Sequence, residues 1–275
     1  MTYLPLTPPG QTPRRVMTIA GSDSGGGAGI QADMRTFAML GMHGLVAVTA
    51  VTVQNSLGVK GFHEVPLDVI AGQIEVVAGD IGVQAAKTGM LASSEIIDTV
   101  ATTWSTAAPD VPLVVDPVCA SMHGDPLLHP SALNALKDKL FPLATVVTPN
   151  LDEVRLLTGI DVVDAATQRE AARALHALGP RWALVKGGHL RSSAHSPDLL
   201  FDGADFVEYE AERIDTGDDH GAGDTLAAAI ASALAHGYEV PAAVDFGKHW
   251  VTECLRAAYP LGQGHGPVSA LFRLG

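Results

Sequence analysis

The segment Asp215-Thr-Gly-Asp-Asp-His-Gly-Ala-Gly-Asp-Thr225 concentrates acids and glycines directly before an alanine-rich stretch, Leu226–Leu234, that reads as a helix. Gly221 and Gly223 let the backbone curl. The amides of Ala222, Gly223 and Asp224 are then expected to converge at the helix N-terminus as an anion hole. Such a hole suits the charge on a transferring γ-phosphoryl group. Asp224 stands at its rim, placed to accept a proton from an attacking alcohol. Phosphates beside it are expected to raise its proton affinity. The plainer reading is a helix cap, but the surrounding glycines exceed what a cap requires. The pattern G-x-x-x-x-G-K-[ST] does not occur, so phosphoryl transfer here needs a different scaffold.

A second glycine-rich segment, Gly21-Ser-Asp-Ser-Gly-Gly-Gly-Ala-Gly29, follows the apolar run Val16–Ala20, which reads as a buried strand. Its glycines permit close approach of backbone to a ligand, and amides at the following helix start are expected to hold an anion. Gly27-x-Gly29-x-x-Ala32 also matches a dinucleotide fingerprint. That reading requires an acid at the end of the next strand, and this chain has Val53-Gln54-Asn55 there. Asp33 falls early in the helix after the loop, where the helix dipole favours a carboxylate.

Three further segments supply carboxylates and a cation where strands should end: Asp116-Pro117, Thr148-Pro-Asn-Leu-Asp-Glu153 and Lys186-Gly-Gly-His189. Asn150 and Glu153 lie three apart at a helix start and so face one site. Oxygen ligands of this kind suit magnesium, and Lys186 places a positive charge over phosphates. Each residue alone has a structural explanation as a turn acid, a cap or a surface lysine.

The elements that must position these groups alternate along the chain. Strands are predicted at Val16–Ala20, Gly44–Val53, Pro112–Val115, Thr145–Thr148 and Ala183–Lys186. Helical spacing recurs through Ile30–Phe37, Leu67–Val77, Pro130–Leu140, Leu151–Thr158, Thr167–Leu178, Asp224–His236 and Pro241–Tyr259. Asp202-Gly203 reads as the turn of a hairpin. The alternation predicts an α/β fold with a mostly parallel sheet covered by helices on both faces, and ligands at the carboxyl ends of its strands. No linker interrupts residues 15–275, so one domain is expected, preceded by a flexible, proline-rich arm over 1–14.

The chain has 275 residues, 47% hydrophobic, with a formal net charge of −13. That charge disfavours nucleic acid and anionic membranes as partners. Cys119 and Cys254 form no CxxC pair, so reduced thiols and a cytoplasmic location are expected. The N-terminal segment lacks an apolar run of signal-peptide type. Met122–Leu128 has the composition of a loop that gates a site.

The motifs together resemble the hydroxymethylpyrimidine and phosphomethylpyrimidine kinases of thiamine biosynthesis, of the ribokinase-like superfamily, in their actinobacterial form. The resemblance runs over about residues 15 to 270. It is carried by Ala20–Asp33, Val53-Gln-Asn55, Lys87-Thr-Gly-Met-Leu91, Val115-Asp-Pro-Val118, Gly124–Leu128, Thr148–Glu153, Lys186–His189, His220-Gly-Ala-Gly-Asp-Thr225 and Gly264-His-Gly-Pro267. It implies a three-layer α/β/α sandwich, ATP, Mg²⁺ and a homodimer. Carried over by motif, Gly21, Asp33 and Gln54 contact the pyrimidine, and Ala28, Met90 and Val118 form apolar walls. Gln54 and Asp33 together suit an aminopyrimidine edge. Lys186, Asn150 and Asp116 approach the ATP phosphates, and Glu153 and Asn150 the metal. Many enterobacterial-type members carry cysteine at the position of Asp224, whereas aspartate resembles sugar and pyridoxal kinases. A pyridoxal kinase, or a dual-specificity enzyme, is therefore the first rival reading. A non-catalytic pyrimidine sensor is the second.

Overall fold

A computed structural model describes residues 3–119, 127–128, 132–188 and 195–275, His195 by its backbone alone. Its centre is an eight-stranded sheet in the order β10-β9-β8-β7-β6-β5-β1-β2. The strands are β1 (Arg15–Ala20), β2 (His43–Val48), β5 (Ala85–Thr88), β6 (Leu113–Val115), β7 (Val146–Val147), β8 (Trp182–Val185), β9 (His195–Phe201) and β10 (Phe206–Glu212). The six from β8 to β2 run parallel, and β9 and β10 add an antiparallel hairpin at one edge. A separate two-stranded sheet pairs β3 (Ala50–Asn55) with β4 (Gly58–Glu64).

The short parallel strands are buried on both faces, so they read as continuous apolar runs rather than alternating ones. One face is covered by α2 (Leu67–Asp80), α3 (Ser94–Ala107), α4 (Ala132–Ala135), α5 (Leu151–Thr158) and α6 (Ala165–His176), with Ile70, Ile74, Ile96 and Leu157 in the core they share. The other face is covered by α1 (Gly29–Met39), α7 (Ala222–Ala235) and α8 (Val240–Arg256), around Phe37, Ile230 and Trp250. The expected three-layer sandwich is therefore present. Helix α7 is alanine-rich because it is enclosed on all sides. Ala227, Ala228, Ala229 and Ala231 are all fully buried, and a Cβ on Gly247 of α8 would meet Ile230 Cγ1 at 2.7 Å.

The expected single strand over Gly44–Val53 is two strands in different sheets. The break falls at Thr49, whose N–H still donates to Ala20 O at 3.0 Å while its hydroxyl donates to Met90 O at 2.7 Å. The chain then leaves the main sheet for the hairpin. A run of apolar and β-branched residues carries no mark of such a change of partner. Strands β4 and β5 and helix α3 had no sequence expectation, and α4, within the expected helix Pro130–Leu140, passes into a π turn over Leu136–Leu140. Of the N-terminal segment, Leu4 is buried in the second core, and the Arg273 guanidinium lies 3.9 Å from the centre of the Tyr3 ring. The expected gating segment lies outside the described residues up to 126. Leu127 and Leu128 both donate to Cys119 O. Among the described residues no helix is long and apolar enough to cross a membrane.

One buried ion pair ties the antiparallel edge to the helical layer. Lys248 of α8 donates to Asp198 of β9 at 2.8 Å, and Asp198 in turn accepts from Gly187 N at 2.8 Å. Lys248→Met leaves Asp198 buried without its counter-charge. We expect it to lower unfolding free energy by about 3–5 kcal/mol, read as the shift in a urea-unfolding midpoint at constant slope.

Candidate active site

The first glycine loop and the Asp116, Asn150–Glu153 and Lys186 segments each follow a parallel strand at its carboxyl end, whereas the second glycine loop follows the antiparallel β10 and Gln54 stands on β3 of the smaller sheet. Beyond the strand ends the ladder continues by single bonds: Gly89 N to Ile19 O, Asp116 N to Thr88 O, Thr148 N to Val115 O and Lys186 N to Pro149 O, all 3.0–3.1 Å. The sheet thus fixes the backbone from which the polar side chains depart, as functional sites on rigid elements require.

Asp224 lies in the first turn of α7, its side chain 15% exposed. One oxygen accepts from Lys87 Nζ at 3.0 Å and the other from Gly29 N at 3.1 Å. Burial pushes its carboxyl up, but the Lys87 charge, the two hydrogen bonds and the nearby His220 outweigh that and hold it below the usual carboxylate range. The protein groups alone thus favour an ionised Asp224; the rise expected from bound phosphates would act against this. It is a resident carboxylate, aimed by two donors.

Lys87 was no candidate from its sequence surroundings, although it falls in a motif that carries the family resemblance. It stands on β5, fully buried, 3.0 Å from Asp33 Oδ1 as well as from Asp224. The short strand Ala-Ala-Lys-Thr has no apolar run, so nothing marked it as a strand or its lysine as interior. Burial alone would lower the lysine, but Asp33, Asp224 and Asp116 reverse this and hold it above its usual range.

Asp33 departs from expectation. Its side chain points from α1 back into the helix–sheet interface, where Thr18 Oγ1 donates to it at 2.6 Å and Lys87 Nζ at 3.1 Å. With no exposure, it is not open to a pyrimidine. Burial pushes its carboxyl up to about 7, against the pull of Lys87.

The first glycine loop also differs from expectation. Its amides are filled from within: Asp23 accepts from Gly25 N, Gly27 N and Ala28 N at 2.8–2.9 Å, and His220 Nε2 lies 2.9 Å from the same carboxylate. Burial opposes ionisation of Asp23, but His220 and the amides hold it below its usual range. The two glycine loops touch. A Cβ on Gly221 (φ +80°) would lie 2.1 Å from Gly27 O, and one on Gly27 would lie 2.3 Å from His220 Cδ2. Gln54, at the end of β3, has its amide nitrogen 3.4 Å from His220 Nε2, the ring nitrogen that also faces Asp23. Gly21 faces Met90, whose sulfur would lie 3.1 Å from an added Cβ, and Val118 packs at the edge of the same core. Ala28 is half-buried beside Gly221.

In the second glycine loop, Ala222 N donates to Asp219 O at 3.1 Å, so it is spent internally. The expected anion hole narrows to the first-turn amides of Gly223 and Asp224, which an α-helix leaves without internal acceptors. A Cβ on Gly223 would meet Asp116 Oδ2 at 3.3 Å and Lys186 Nζ at 3.5 Å. The loop thereby adjoins the third cluster. There Asp116 accepts from Lys186 Nζ and from Thr148 Oγ1, both at 3.1 Å. Burial would lower Lys186, but Asp116 and Glu153 raise it.

Asn150 and Glu153 form a reciprocal capping box on α5. Asn150 Oδ1 accepts from Glu153 N at 2.9 Å, and Glu153 Oε2 accepts from Asn150 N at 2.7 Å. Asn150 is thus engaged as a cap, which argues against its side chain as a metal ligand. Glu153 fits magnesium better. Burial, opposed by Lys186 and helped by Asp116, pushes its carboxyl up to about 7, and a divalent cation relieves that strain. No group of three or more His, Cys, Asp or Glu among the described residues is arranged to hold a metal. The ion would depend mostly on phosphate and water oxygens, as magnesium at phosphates commonly does.

A protein-family model for phosphomethylpyrimidine kinase matches residues 23–269. The chain belongs to the phosphomethylpyrimidine kinase family. As a member of that family it is a kinase, a phosphotransferase. It is 74% identical over 274 residues, covering all of both chains, to the hydroxymethylpyrimidine/phosphomethylpyrimidine kinase of Mycobacterium tuberculosis. Among solved structures it is similar to an ADP complex of Bacillus subtilis pyridoxal kinase, with a TM-score of 0.87 and 36% identity over 96% of this chain and 100% of that one. It is also similar to the Staphylococcus aureus pyridoxal kinase in complex with AMP-PCP and pyridoxal, at TM-score 0.85 and 33% identity over 94% and 93%. The family's kinase fold, with its nucleotide-bound structural relatives, rules out the dinucleotide reading of the first loop.

Lys87→Met leaves Asp33 and Asp224 facing each other without their cation. Both carboxyls then rise in the folded state, so the deficit is greatest where both must ionise and shrinks as acid protonates them. We expect a loss of about 3–5 kcal/mol near pH 8, falling toward pH 5, measured by urea unfolding across that range.

Proposed function

We propose that residues 15–275 act as one catalytic domain, with 1–14 as an arm. In the cytoplasm it transfers the γ-phosphoryl group of ATP to 4-amino-5-hydroxymethyl-2-methylpyrimidine, and then to the resulting monophosphate, for thiamine biosynthesis. The observation that carries this reading is Asp224, held as a carboxylate by Lys87 and Gly29 N–H beside a glycine-lined helix start. The full-length identity to the mycobacterial kinase supports it.

In the first turnover Asp224 takes the hydroxymethyl proton as the oxygen attacks the γ-phosphorus. The bond to the β–γ bridging oxygen breaks, and its electron pair leaves with ADP. The Gly223 and Asp224 amides and Lys186 face the charge on the transferring group, a pre-organised arrangement of donors. Gly221 keeps this loop against the first one. Magnesium, held through Glu153 and water, neutralises phosphate charge when bound. Asp116 orients Lys186. Gln54, Gly21, Ala28, Met90 and Val118 hold the ring, and Asp33 acts through Lys87 rather than on the substrate. In the second turnover the nucleophile is a phosphate already ionised near neutral pH, so it needs no strong base.

Asp224→Asn is therefore expected to lower kcat for hydroxymethylpyrimidine by about 10²–10⁴-fold, and for the monophosphate far less. A coupled ADP-release assay on both substrates checks this, and equal losses would favour a purely electrostatic role. Pyridoxal belongs in the same assay, because the structural likeness to two pyridoxal kinases favours a second reading as a kinase of that ring. Efficient turnover of pyridoxal alone would assign the chain to it.

The same reading includes a homodimer. Its support is the outer face of the β3–β4 hairpin, where Val51, Val53 and Leu57 are 53%, 61% and 58% exposed. Val53→Glu is expected to convert a dimer to a monomer in sedimentation or light scattering, and a wild-type monomer would end the proposal.

A further inference from the structure

The reading above leaves one buried ionisable pair without a role. Asp23 is nearly inaccessible, and its carboxylate takes three loop amides and the His220 ring. A fourth partner is not needed to satisfy a carboxylate, and the loop amides alone would fix its own turn. The histidine instead reaches it from the other glycine loop, 197 residues further along the chain. The His220 main chain, from which the ring departs, is held on both sides: its N donates to Gly266 O and its O accepts from Val268 N, each at 3.1 Å. The C-terminal strap that holds it is itself tied down, with Gly266 N donating to Asp218 and His265 N donating to Ser56 O at the hairpin tip.

The amides of three consecutive residues then decide what this pair controls. Those of Gly27 and Ala28 point at Asp23, and the next, of Gly29, points at Asp224. Gly29 holds φ +55°, and a Cβ there would lie 2.5 Å from Gly21 O, so the turn that aims this amide tolerates little change. We infer that Asp23 and His220 are positioning residues for the phosphorylation of the alcohol: their bond clamps the first glycine loop onto the second and so keeps the Gly29 N–H on Asp224. This rests on Asp224 as the base.

The clamp works at a distance from the reacting atoms, so its loss must be read through Asp224. The charged groups facing Asp224 are Lys87 from β5, Asp33 from α1, His220 from its own loop, and Asp116 and Lys186 beside Gly223. In Asp23→Asn, Asp224 loses the Gly29 donor while Lys87, Asp33, Asp116 and Lys186 stay, and His220→Ala in addition removes the histidine whose charge holds Asp224 down. Its affinity for a proton then rises, and its aim loosens.

The experiment compares His220→Ala, His220→Gln, Asp23→Asn and Asp224→Asn with the parent enzyme. It measures kcat and KM for hydroxymethylpyrimidine and for its monophosphate from about pH 5 to about pH 9, with melting curves as a check of folding. His220→Ala and Asp23→Asn are expected to lower kcat for the alcohol by on the order of 10–10²-fold, with KM little changed, and to move the acid limb of that profile to higher pH. The monophosphate step should lose much less. His220→Gln, which keeps a donor for Asp23, should recover most of kcat. An unmoved acid limb, equal losses in both steps, or no rescue by glutamine in a folded variant overturns the clamp. If Asp224→Asn is impaired while His220→Ala is not, the clamp fails alone. If Asp224→Asn keeps full alcohol turnover, the base reading fails and the clamp with it.

Discussion

A lysine buried inside a parallel sheet is the constraint from which the rest of the site follows. Lys87 has no exposure, and burying an isolated ammonium is prohibitive. Two carboxylates from two different helices offset the cost, Asp33 from α1 and Asp224 from α7. Breaking such an arrangement costs far more than the arrangement itself contributes. Its value is therefore in placement. The sheet fixes the lysine, the lysine fixes the first turn of α7, and the glycine loop before that turn has one place to go. Gly89 completes the fit, since a Cβ there would sit 3.1 Å from Lys87 Nζ.

A related arrangement lies three strands away in the sheet, where Lys186 pairs with Asp116 and feels the charge of nearby Glu153, while Lys87 pairs with both Asp33 and Asp224. Four acids thus meet two lysines at the carboxyl end of the sheet. Lys87 is claimed twice, whereas Lys186 has, among the described residues, a single direct partner in Asp116. Two of these buried acids, Asp33 and Glu153, are pushed upward to about 7. An incoming triphosphate adds more negative charge to this end. A divalent cation accompanying the nucleotide, as proposed above, would offset that charge beside Glu153.

Much of this was legible in the sequence, for identifiable reasons. Segments whose conformation is local were readable, such as the two glycine-rich loops before α1 and α7 and the hairpin turn at Asp202-Gly203, whereas Asn150 and Glu153, expected to face one site, form a capping box on each other. Apolar runs gave five of the six parallel strand sites. What escaped depended on distant partners. Lys87 has no local signature, because its meaning comes from residues 54 positions before it and 137 after it. Asp33 was legible as a helix-start acid, but the direction of its side chain, into the core rather than toward a ligand, is set by Thr18 and Lys87. Asp23 in the first loop was passed over because a loop acid usually serves solvent. Here it fills the loop's own amides, which no spacing rule distinguishes from an external anion doing so.

The likeness to pyridoxal kinases and the identity to a pyrimidine kinase are not in conflict, because they measure different parts of the molecule. A hydroxymethyl group on a six-membered heteroaromatic ring presents the same nucleophile in either case. In the proposed reading the Lys87–Asp224–Gly29 arrangement acts on that oxygen and its proton alone, so a fold shared at a TM-score of 0.87 does not by itself choose between the rings. Discrimination between rings has to come from groups that read their edges. A site built to hydrogen-bond a particular edge rejects an analogue lacking it strongly, because its polar group is then left unpaired. In the proposed reading Gln54 is such a group, and it lies 3.4 Å from His220 of the loop that leads into Asp224, so a change in that loop is expected to bear on specificity as well as on rate.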